Sequence, residues 1–338
     1  MALENNPSEP VSVVVCAHDE EKNLRELVPL LLMQDYPQFE VIVVNDRSND
    51  GTYDYLLEQT QKDARVRAVT VDRLPDHTNG KKYGITLAIK SARYDIILLT
   101  DADCRPSSNQ WVRSMASGFD TAARIVTGYS GYIKSAGFLN LFIRYETVFT
   151  ALQYISFALL GMPYMGVGRN LAYRKALFLD NRGFDKNLAI TGGDDDLFVN
   201  AHATRENARV CIGPDALIYS IPKNSWPGFF RQKVRHLSVG GKYRIKHRFW
   251  LGLFLGSLAM VWISGIGTLA SKGEALWVIS GISLRLMLLI ITIKKATRSF
   301  GHSFELGYVP VLDFLFVIYY LSTGAVAVVS KNQQWKKN

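Results

Sequence analysis

Two carboxylates, Asp101 and Asp103, stand directly after the apolar segment Ile96-Ile-Leu-Leu-Thr100. A continuous apolar segment of this length predicts a central strand of a parallel sheet. Ligands bind just beyond the carboxyl ends of such strands. Two acids with one residue between them can share a divalent cation there, and the cation can bind phosphate oxygens. An isolated Asp-x-Asp is also typical of a strand followed by a turn, so the interpretation depends on the residues that accompany it.

A second group of acids, Asp194-Asp-Asp196, follows Gly192 and Gly193. A helix is predicted to begin here, and one Asp is enough to cap its first turn. Adjacent negative charges repel one another and destabilise the fold unless they have a functional role. An Asp at this place can accept the proton of an attacking hydroxyl group. Because a helix N-terminus lowers the pKa of a carboxyl group, we expect these acids to be ionised but weak bases.

Two lysines, Lys81 and Lys82, follow Gly80 at the start of another predicted helix. The sequence contains neither G-x-G-x-x-G nor G-x-x-x-x-G-K-[S/T], so an ordinary dinucleotide site or P-loop is not expected. The phosphates of a bound nucleotide would then be held by a metal ion and by lysine, with Lys81 and Lys82 as candidates. Lysines at a helix start are also typical of a solvated surface, and this alternative stays open for each of them.

The segments that carry these residues alternate between strand and helix patterns. Buried strands are predicted where apolar and β-branched residues run together, at 11–17, 39–45, 66–71 and 96–100. Helices are predicted between them, from Leu24 to near Pro37, over 52–62 and over 80–93. This alternation predicts a parallel sheet, with acids crowded along the edge where its strands end. The acids would repel one another there unless a cation or hydrogen-bond donors offset their charge.

Taken in order, several segments resemble the nucleotide-sugar half of the family 2 glycosyltransferases. They are the strand 11–17, Asp19-Glu-Glu-Lys-Asn23, Asn45-Asp-Arg-Ser-Asn-Asp-Gly-Thr52, Gly80-Lys-Lys82 and Asp101-Ala-Asp103. The resemblance implies the GT-A fold, an α/β architecture with a Rossmann-like, mostly parallel sheet flanked by helices. C-terminal transmembrane helices would follow it, as in the membrane-anchored bacterial members of the family.

The resemblance also implies roles for individual residues. Asp46 would contact a base of the uracil type, Asp101 would lie near the ribose, and Asp103 would bind the divalent metal, Mg²⁺ or Mn²⁺, on the diphosphate. The remaining residues expected to bind the nucleotide-sugar are Ala17, Asp19, Glu20, Lys81 and Ala102. In the family an acidic pair supplies the base as its second member. The three consecutive acids leave the register open here, with Asp195 favoured and Asp194 as the alternative.

The acceptor side is expected in two segments. Residues 166–174 resemble the family's acceptor-pocket segment, which assigns Gly168 and Asn170 to it. The segment Arg231-Gln-Lys-Val-Arg-His236 resembles the family's Gln-x-x-Arg-Trp motif, with Gln232 and Arg235 on one helix face. The resemblance places this motif at the acceptor and diphosphate side. His236 stands where Trp is expected, which argues against synthesis of long polymers. A basic juxtamembrane helix is the alternative interpretation of this segment.

Apolar segments at 250–269, 275–293 and 306–330 are long enough to span a bilayer. Arg285 and Asp313 lie within them, and we expect these residues to face protein or each other, because either would be costly in contact with lipid. The aromatic segment 137–168 predicts either a helix at the membrane interface or a buried core helix.

The predicted organisation follows the chain in five parts. These are a polar tail (1–10), the nucleotide-sugar half (11–136), the acceptor half with candidate interfacial helices (137–249), the membrane region (250–330) and a basic tail (331–338). Basic residues before the first span and after the second predict a cytoplasmic catalytic domain on a multi-pass protein of the inner, or plasma, membrane. A third crossing would put the basic tail outside, so the topology of the last segment stays open.

Composition excludes several other classes of protein. The 338 residues carry a net charge of +9, but aromatic residues are not interleaved with the basic clusters as in proteins that bind single-stranded nucleic acid. The three cysteines are far apart, which argues against a disulfide framework and against structural zinc. The first ten residues have no apolar core of the kind that a signal peptide needs.

The function expected from the sequence is metal-dependent, inverting transfer of a sugar from a nucleotide-sugar, with a UDP-sugar favoured. The acceptor would be lipid-linked or a membrane-proximal glycan of the cell envelope, and partner proteins would belong to envelope biosynthesis. The alternatives are a processive polysaccharide synthase, a non-catalytic membrane subunit that binds nucleotide-sugar, and a nucleotidyltransferase. The last would normally carry a glycine-rich loop after the first strand, which this sequence lacks.

Overall fold

The computed structural model describes residues 9–270 and 275–329. These residues divide into two compact units. The first contains 9–133 and 153–222, and the second contains 134–152 and the described residues from 223 onward. The predicted acceptor half, 137–249, is therefore divided between the two units. The predicted tail 331–338 and most of the tail 1–10 lie outside the described residues.

All strands that the structure describes belong to the first unit. In chain order they are β1 (Val11–Ala17), β2 (Phe39–Asp46), β3 (Val66–Val71), β4 (Ile96–Asp101), β5 (Cys104–Pro106), β6 (Ile125–Gly128), β7 (Ser130–Tyr132), β8 (Leu171–Arg174), β9 (Ala208–Cys211) and β10 (Ile218–Ser220). Seven of them form one sheet in the order β3-β2-β1-β4-β8-β6-β9, and three form a small sheet in the order β5-β10-β7.

The large sheet is mostly parallel, as predicted. Strands β3, β2, β1 and β4 run parallel, whereas β8 is antiparallel to both of its neighbours. Cys16 of β1 lies opposite Val44 of β2 and Asp101 of β4. The carboxyl ends of these three strands therefore meet along one edge, and the expectation that their acids gather there is confirmed.

Helices cover both faces of this sheet. The helices up to residue 202 are α1 (Glu21–Leu32), α2 (Thr52–Lys62), α3 (Gly80–Ser91), α4 (Trp111–Ala116), α5 (Phe138–Leu159), α6 (Lys175–Asp180) and α7 (Asp196–His202). On one face Val13 packs in a core with Leu24 and Leu27 of α1. On the other face Val14 shares a core with Ile85 of α3. Alternate residues of β1 thus enter opposite cores, which explains why the strand is apolar throughout.

Lys82 lies inside the protein, with none of its surface exposed to solvent. Its ammonium group donates hydrogen bonds to the backbone oxygens of Asn187 (2.7 Å) and Ile190 (2.9 Å). Neither sequence-based alternative anticipated this position, because the side chain neither is solvated nor lines the edge where the acids gather. Lys82 instead ties α3 to the segment that precedes α7.

The second unit is helical in the part that the structure describes. Its further helices are α8 (Trp226–Ser238), α9 (Ile245–Ala270), α10 (Ala275–Ser299) and α11 (Val309–Val329). Three apolar stretches, 245–268, 276–299 and 306–329, are helical and long enough to cross a membrane. They overlap the three predicted segments, although the first begins at 245 where 250 was predicted and the second ends at 299 where 293 was predicted. Ser330 lies outside the described residues.

Most of the aromatic segment 137–168, predicted as either interfacial or core, forms the helix α5, which ends at Leu159. Within the second unit, Tyr145 and Phe149 of this helix are buried. Their rings lie 6.0 Å from that of Phe304 and 4.7 Å from that of Phe316, respectively. This part of α5 therefore packs as a core helix.

A polar cluster joins the helices of the second unit. The carboxylate of Asp313 is fully buried and accepts hydrogen bonds from both terminal nitrogens of Arg285, at 2.6 and 3.1 Å. Trp262 Nε1 (2.9 Å) and the Tyr145 hydroxyl (3.2 Å) also donate to it. Arg285 and Asp313 were expected to face protein or each other, and the structure shows that they face each other. The cluster connects α5, α9, α10 and α11.

Replacing Arg285 with Met should destabilise this unit. The Asp313 carboxylate would remain buried without its cation, and breaking a buried pair in this way costs about 3–5 kcal/mol. We expect the thermal unfolding midpoint of the detergent-solubilised protein to fall by roughly 5 °C or more. Combining Arg285→Met with Asp313→Asn should recover much of this loss, because an amide needs no cation.

The matched control is Arg298→Met, at an exposed position on the same helix. This substitution should leave the midpoint within about 1 °C of that of the wild type, as expected for an exposed site. An equal effect of the two arginine substitutions would contradict the role assigned to the cluster.

Candidate active site

The loops that follow β1 and β2 are bonded to each other. The Asp19 amide donates to Ser48 Oγ (3.0 Å), and an Asp19 carboxylate oxygen accepts from the Asn49 amide (2.7 Å). The Glu20 amide donates to Thr52 Oγ1 (3.2 Å). Asp19 has a φ of +56°, a left-handed conformation that such bonds can stabilise in a non-glycine residue. Two residues predicted to bind nucleotide thus come together with the loop that follows Asp46.

Asp46 ends β2 and is only 1% exposed. Its carboxylate accepts hydrogen bonds from Nε (2.8 Å) and Nη2 (3.3 Å) of Arg47, a residue that the sequence did not single out. Gly80 approaches this pair so closely that a Cβ atom would lie 2.3 Å from Asp46 Oδ2. Glycine at this position therefore allows α3 to begin against Asp46. Ala17, at the end of the adjacent strand, is buried.

Lys81 joins the two predicted groups of acids. Its Nζ lies 2.9 Å from Asp101 Oδ1, at the end of β4, and 3.1 Å from Asp194 Oδ2, before α7. Burial acts to lower the pKa of Lys81, but the charges of Asp101, Asp194 and Asp195 outweigh it and raise this pKa well above its ordinary value. The ammonium group therefore stays charged and offsets part of the negative charge around it.

Asp103 lies beside the small sheet. Its Oδ1 accepts a hydrogen bond from the Ser220 hydroxyl at 3.2 Å. Ala102 is buried, whereas Asp101 and Asp103 on either side of it are both partly exposed. The two predicted carboxylates are thus accessible from solvent at the end of β4.

The donor set fits a divalent cation that arrives with a nucleotide. Over residues 9–270 and 275–329, no group of three or more His, Cys, Asp or Glu side chains is placed to bind one ion. Asp101 and Asp103 offer two carboxylates. Mg²⁺ in nucleotide sites is usually bound by one or two carboxylates, with phosphate oxygens and water completing the shell. The site therefore suits such an ion and does not resemble a metal centre built from protein ligands alone.

Asp195 is the N-cap of α7. One of its carboxylate oxygens accepts from the Asp196 amide (2.8 Å), and the other accepts from the Gly168 amide (2.7 Å). A Cβ atom on Gly168 would lie 3.0 Å from Asp195 Oδ2, so glycine permits this close approach. Asp194 and Asp196 are buried, whereas Asp195 is partly exposed. Of the three acids, Asp195 is therefore the one most accessible to a substrate.

Asp194 and Asp195 differ in their affinity for a proton. Burial acts to raise the pKa of Asp194, but attraction and a hydrogen bond from Lys81 bring it below the ordinary value. Burial and then repulsion by Asp194 raise the pKa of Asp195 above the ordinary value. The sequence-based expectation that the helix start would lower it is wrong for Asp195, because burial and the neighbouring charge outweigh the two backbone donors. Asp195 is the stronger base of the pair.

Asn170, predicted on the acceptor side, is fully buried. Its amide nitrogen donates to the backbone oxygens of Tyr129 (2.6 Å) and Ala216 (2.9 Å), and its amide oxygen accepts from Trp111 Nε1 (3.0 Å). The Asn170 side chain therefore belongs to the scaffold that supports Gly168.

Arg169, between Gly168 and Asn170, was not singled out by the sequence. Its Nε donates to Ser130 Oγ (2.6 Å) and its Nη1 donates to the Tyr132 hydroxyl (3.0 Å). The guanidinium carbon lies 4.5 Å from the centroid of the Tyr132 ring. The signal that could have identified it is a single arginine in the otherwise uncharged run 162–173.

The three other residues predicted on the acceptor side lie on α8, in the second unit. Gln232 and Arg235 are partly exposed and three residues apart, as predicted for one helix face, and His236 is exposed. Between them, Lys233 is buried and forms an ion pair with Glu146 of α5.

A mostly parallel sheet with helices on both of its faces and acids at its carboxyl edge is the architecture expected of a GT-A fold. The family described as "Glycosyl transferase family 2" matches residues 12–178. The family described as "Glycosyl transferase family group 2" matches residues 96–326. The chain therefore belongs to the family 2 glycosyltransferases.

Curated relatives carry related names. The chain is 28% identical over 238 residues to the probable glycosyltransferase YdaM of Bacillus subtilis, a match that covers 67% of this chain and 54% of YdaM. It is 27% identical over 101 residues to the poly-β-1,6-N-acetyl-D-glucosamine synthase of Staphylococcus epidermidis, covering 30% of this chain and 23% of the synthase. The chain thus spans about half of YdaM and a smaller part of the synthase.

A solved structure shares the fold over nearly the whole chain. It is the mannosyltransferase PcManGT from Pyrobaculum calidifontis in complex with GDP-Man and Mn²⁺. The TM-score is 0.53 at 16% identity, with 97% of this chain and 82% of that chain covered. At this identity the likeness concerns the fold alone.

Replacing Lys81 with Met should destabilise the first unit in a pH-dependent way. Asp101 and Asp194 would face each other without a cation, at a cost of about 3–5 kcal/mol at neutral pH. In the wild type the pKa of Asp194 is lowered, so its stabilising contribution is present above the pKa of an unfolded Asp, about 3.9, and is lost as the pH falls through the folded value. In the variant, burial without Lys81 would raise this pKa, so the variant gains stability as the pH falls.

The difference between the wild type and Lys81→Met should therefore be largest near pH 7 and smaller at pH 5. Thermal unfolding of the detergent-solubilised proteins at both pH values measures it. Lys90→Met, at an exposed position on the same helix, is the control and should have little effect at either pH. A difference that does not change with pH would contradict the assignment.

Proposed function

We propose that this protein transfers a sugar from a nucleoside-diphosphate sugar to an acceptor hydroxyl group, with inversion at the anomeric carbon and with a divalent cation. The observation that carries the proposal is the position of Lys81. A single ammonium nitrogen bonds both to an acid of the predicted donor site, Asp101, and to an acid beside the predicted base, Asp194. Donor binding and proton transfer then belong to one site in the first unit.

The donor nucleotide would lie along the carboxyl ends of β1, β2 and β4. Asp46 would contact the base, and Asp101 would lie near the ribose. The interlocked loops of Asp19 and Glu20, with Ala17, Lys81 and Ala102, would surround the nucleotide-sugar. The sequence resemblance favours uridine, whereas PcManGT was solved with GDP-Man, so both UDP-sugars and GDP-sugars belong in a substrate screen.

Asp103, with Asp101 beside it, would hold Mg²⁺ or Mn²⁺. When bound, such an ion offsets the negative charge of the departing diphosphate. The partial exposure of the Asp101 and Asp103 carboxylates supports this assignment, as does the presence of Mn²⁺ in the complex of PcManGT. The Ser220 hydroxyl, which donates to Asp103, would orient its carboxylate.

Asp195 would act as the general base. Its carboxylate would accept the proton of the acceptor hydroxyl as that oxygen attacks the anomeric carbon. The new carbon–oxygen bond forms while the bond to the diphosphate breaks on the opposite face, which inverts the configuration. The amides of Gly168 and Asp196 hold the carboxylate in place, and its raised pKa makes it a better base than Asp194.

A lipid-linked acceptor is supported by a cavity within the second unit. The cavity has a volume of about 730 Å³ and is lined mainly by apolar side chains of α5, α8 and α11, such as Phe142, Phe230 and Ile318. Arg231 also lines it and is exposed. An apolar cavity beside a cation suits a lipid chain with an anionic head group. The three apolar helices would anchor the protein in the inner membrane, with the catalytic site in the cytoplasm.

Synthesis of a longer glycan is a second candidate function, since one relative is named a poly-β-1,6-N-acetyl-D-glucosamine synthase. His236 in place of Trp argues against it, because histidine offers a smaller apolar surface for stacking a sugar. The length of the product distinguishes the two: addition of one sugar per acceptor favours the main proposal, and a ladder of products favours the synthase.

Substituting Asp195 with Asn should abolish most sugar transfer. Purified protein would be incubated with Mn²⁺, labelled UDP- or GDP-sugars and bacterial membranes, and transfer and donor hydrolysis would be measured. Loss of a general base lowers the rate by roughly 10²–10⁴-fold. In the wild type, the rate should fall as the pH drops through the raised pKa of Asp195, because the base must be ionised.

Asp103→Asn should lower the rate of transfer and raise the Mn²⁺ concentration needed for half of the maximal rate, because a carboxylate ligand of the ion is lost. Chelation with EDTA should stop the wild-type reaction until Mn²⁺ is restored. Asp180→Asn, at an exposed position in the first unit, is the matched control and should transfer sugar at the wild-type rate. Wild-type rates in both Asp195→Asn and Asp103→Asn would refute the proposed mechanism.

Substituting Ile318 with Trp tests the acceptor cavity. The larger side chain should occupy part of it, so the KM for a polyprenyl-phosphate acceptor should rise several-fold while hydrolysis of the donor by water stays unchanged. Ile263→Trp, at an exposed position on α9, is the control for bulk added to the helical surface. An unchanged acceptor KM in Ile318→Trp would argue that the acceptor does not use this cavity.

A further inference from the structure

The Arg169 side chain holds a positive charge that no carboxylate in the described part of the chain contacts. Its hydrogen bonds go to Ser130 Oγ (2.6 Å) and the Tyr132 hydroxyl (3.0 Å), both of which are neutral. Within residues 9–270 and 275–329, no acidic oxygen lies within ion-pair distance of its guanidinium group. The ammonium group of Lys81, in contrast, forms ion pairs with two carboxylates, those of Asp101 and Asp194.

The small sheet places Arg169 near Asp103. Ser130 and Tyr132 are two residues apart on β7, so their side chains lie on the same face of that sheet. Tyr132 lies opposite Ser220 of β10, and the Ser220 hydroxyl donates to Asp103. The face that holds the guanidinium group is thus also the face that holds the proposed metal ligand.

The backbone places the same residue next to the proposed base. The amide of Gly168, directly before Arg169, donates to Asp195 Oδ2 at 2.7 Å. Asn170, directly after it, is anchored in the interior by three hydrogen bonds. Arg169 is therefore held on both sides in a rigid segment between Asp103 and Asp195, where the leaving group and the acceptor of the proposed reaction would meet.

The guanidinium group still has donors available. Of its five N–H donors, one on Nε and one on Nη1 are used by the two hydroxyl groups. Nη2 has no hydrogen-bond partner in the described residues, and it is not among the polar atoms enclosed by protein. The outer edge of the guanidinium group is therefore open, and a planar pair of donors of this kind matches two oxygens of a phosphate.

We propose that Arg169 binds a phosphate group of a substrate beside Asp103, through the guanidinium edge that Ser130 and Tyr132 leave open. The proposal rests on the function proposed above and deepens it, because it adds a specific phosphate contact to that site. The phosphate comes either from the diphosphate of the donor or from the phosphate of a lipid-linked acceptor. In both cases the arginine offsets negative charge at the place where the sugar is transferred from the donor to the acceptor.

The experiment compares the full-length wild type with Arg169→Gln and Arg169→Lys. Calorimetry in the presence of Mn²⁺ would measure the binding of UDP and UMP, or of GDP and GMP if the wild type prefers guanosine. Transfer kinetics would measure the KM for a polyprenyl phosphate. If the donor supplies the phosphate, Arg169→Gln should bind the diphosphate roughly 10-fold or more weakly, with a smaller loss for the monophosphate. If the acceptor supplies it, nucleotide binding is unchanged and the acceptor KM rises by a similar factor.

Arg169→Lys should recover part of either loss, since lysine also binds phosphate, as a point charge. Arg93→Gln, which removes a largely exposed arginine of the same unit, is the matched control and should match the wild type in both assays. Unchanged nucleotide binding and unchanged acceptor KM in Arg169→Gln would overturn the proposal. So would equal losses in the Gln and Lys variants together with a lowered unfolding midpoint, because that pattern belongs to a structural role.

Should Arg169→Gln fail to fold, Tyr132→Phe provides the same test. It removes the hydroxyl that orients Nη1 but keeps the arginine, so a loss of a few-fold in one of the two assays supports the proposal and no loss overturns it. A failure of the proposed glycosyltransferase function would give a different result from a failure of the Arg169 proposal. In that case the wild type binds neither UDP nor GDP, whereas failure of the phosphate contact leaves wild-type binding intact.

Discussion

The structure of the first unit depends on one ammonium group among several carboxylates. Parallel strands bring Asp46, Asp101 and Asp103 to one edge of the sheet, and the start of α7 adds Asp194 and Asp195. Such crowding is unfavourable unless cations or donors offset it. Lys81 bonds to one acid from each group, and it remains charged because the acids around it outweigh the effect of its burial. Its position accordingly determines which carboxylates are neutralised and which remain available to a substrate.

Local features of the backbone make that position possible. The Asn79 side chain caps α3 by accepting from the Lys82 amide at 3.3 Å, and Gly80 lets the helix begin against Asp46. Lys82 then anchors the helix to the segment before α7, so that its neighbour Lys81 meets Asp194 in a defined geometry. The two adjacent lysines therefore have different roles: Lys81 offsets the charge of the acids, and Lys82 holds the helix in place.

The same ammonium group makes two adjacent acids chemically different. Asp194 is stabilised in its ionised form by Lys81, and the charge of Asp194 in turn raises the pKa of Asp195. Asp195 is therefore more exposed than Asp194 and Asp196 and more basic than Asp194, although aspartate is an ordinary residue type for proton transfer. The second unit follows a similar principle for stability, because the buried Asp313 carboxylate has Arg285 as its cation and two neutral donors.

The sequence by itself determined the first four strands and the helices between them, the sheet edge at which Asp46, Asp101 and Asp103 gather, the three apolar helices and the expectation that Arg285 and Asp313 avoid lipid. These follow from local periodicity and from the cost of leaving a charge in an apolar segment. Only the tertiary structure showed that Lys81, and not Lys82, contacts the acids, and that the pKa of Asp195 is raised. It also placed the Asn170 side chain in the scaffold and revealed the contacts of Arg47 and Arg169. Successive side chains of a helix point about 100° apart, so Lys81 and Lys82 face different surroundings. Which of them faces the acids depends on the residues that pack against the helix. Those partners lie far along the chain, as Asn187 does from Lys82, 105 residues away, and no local pattern encodes contacts of that kind.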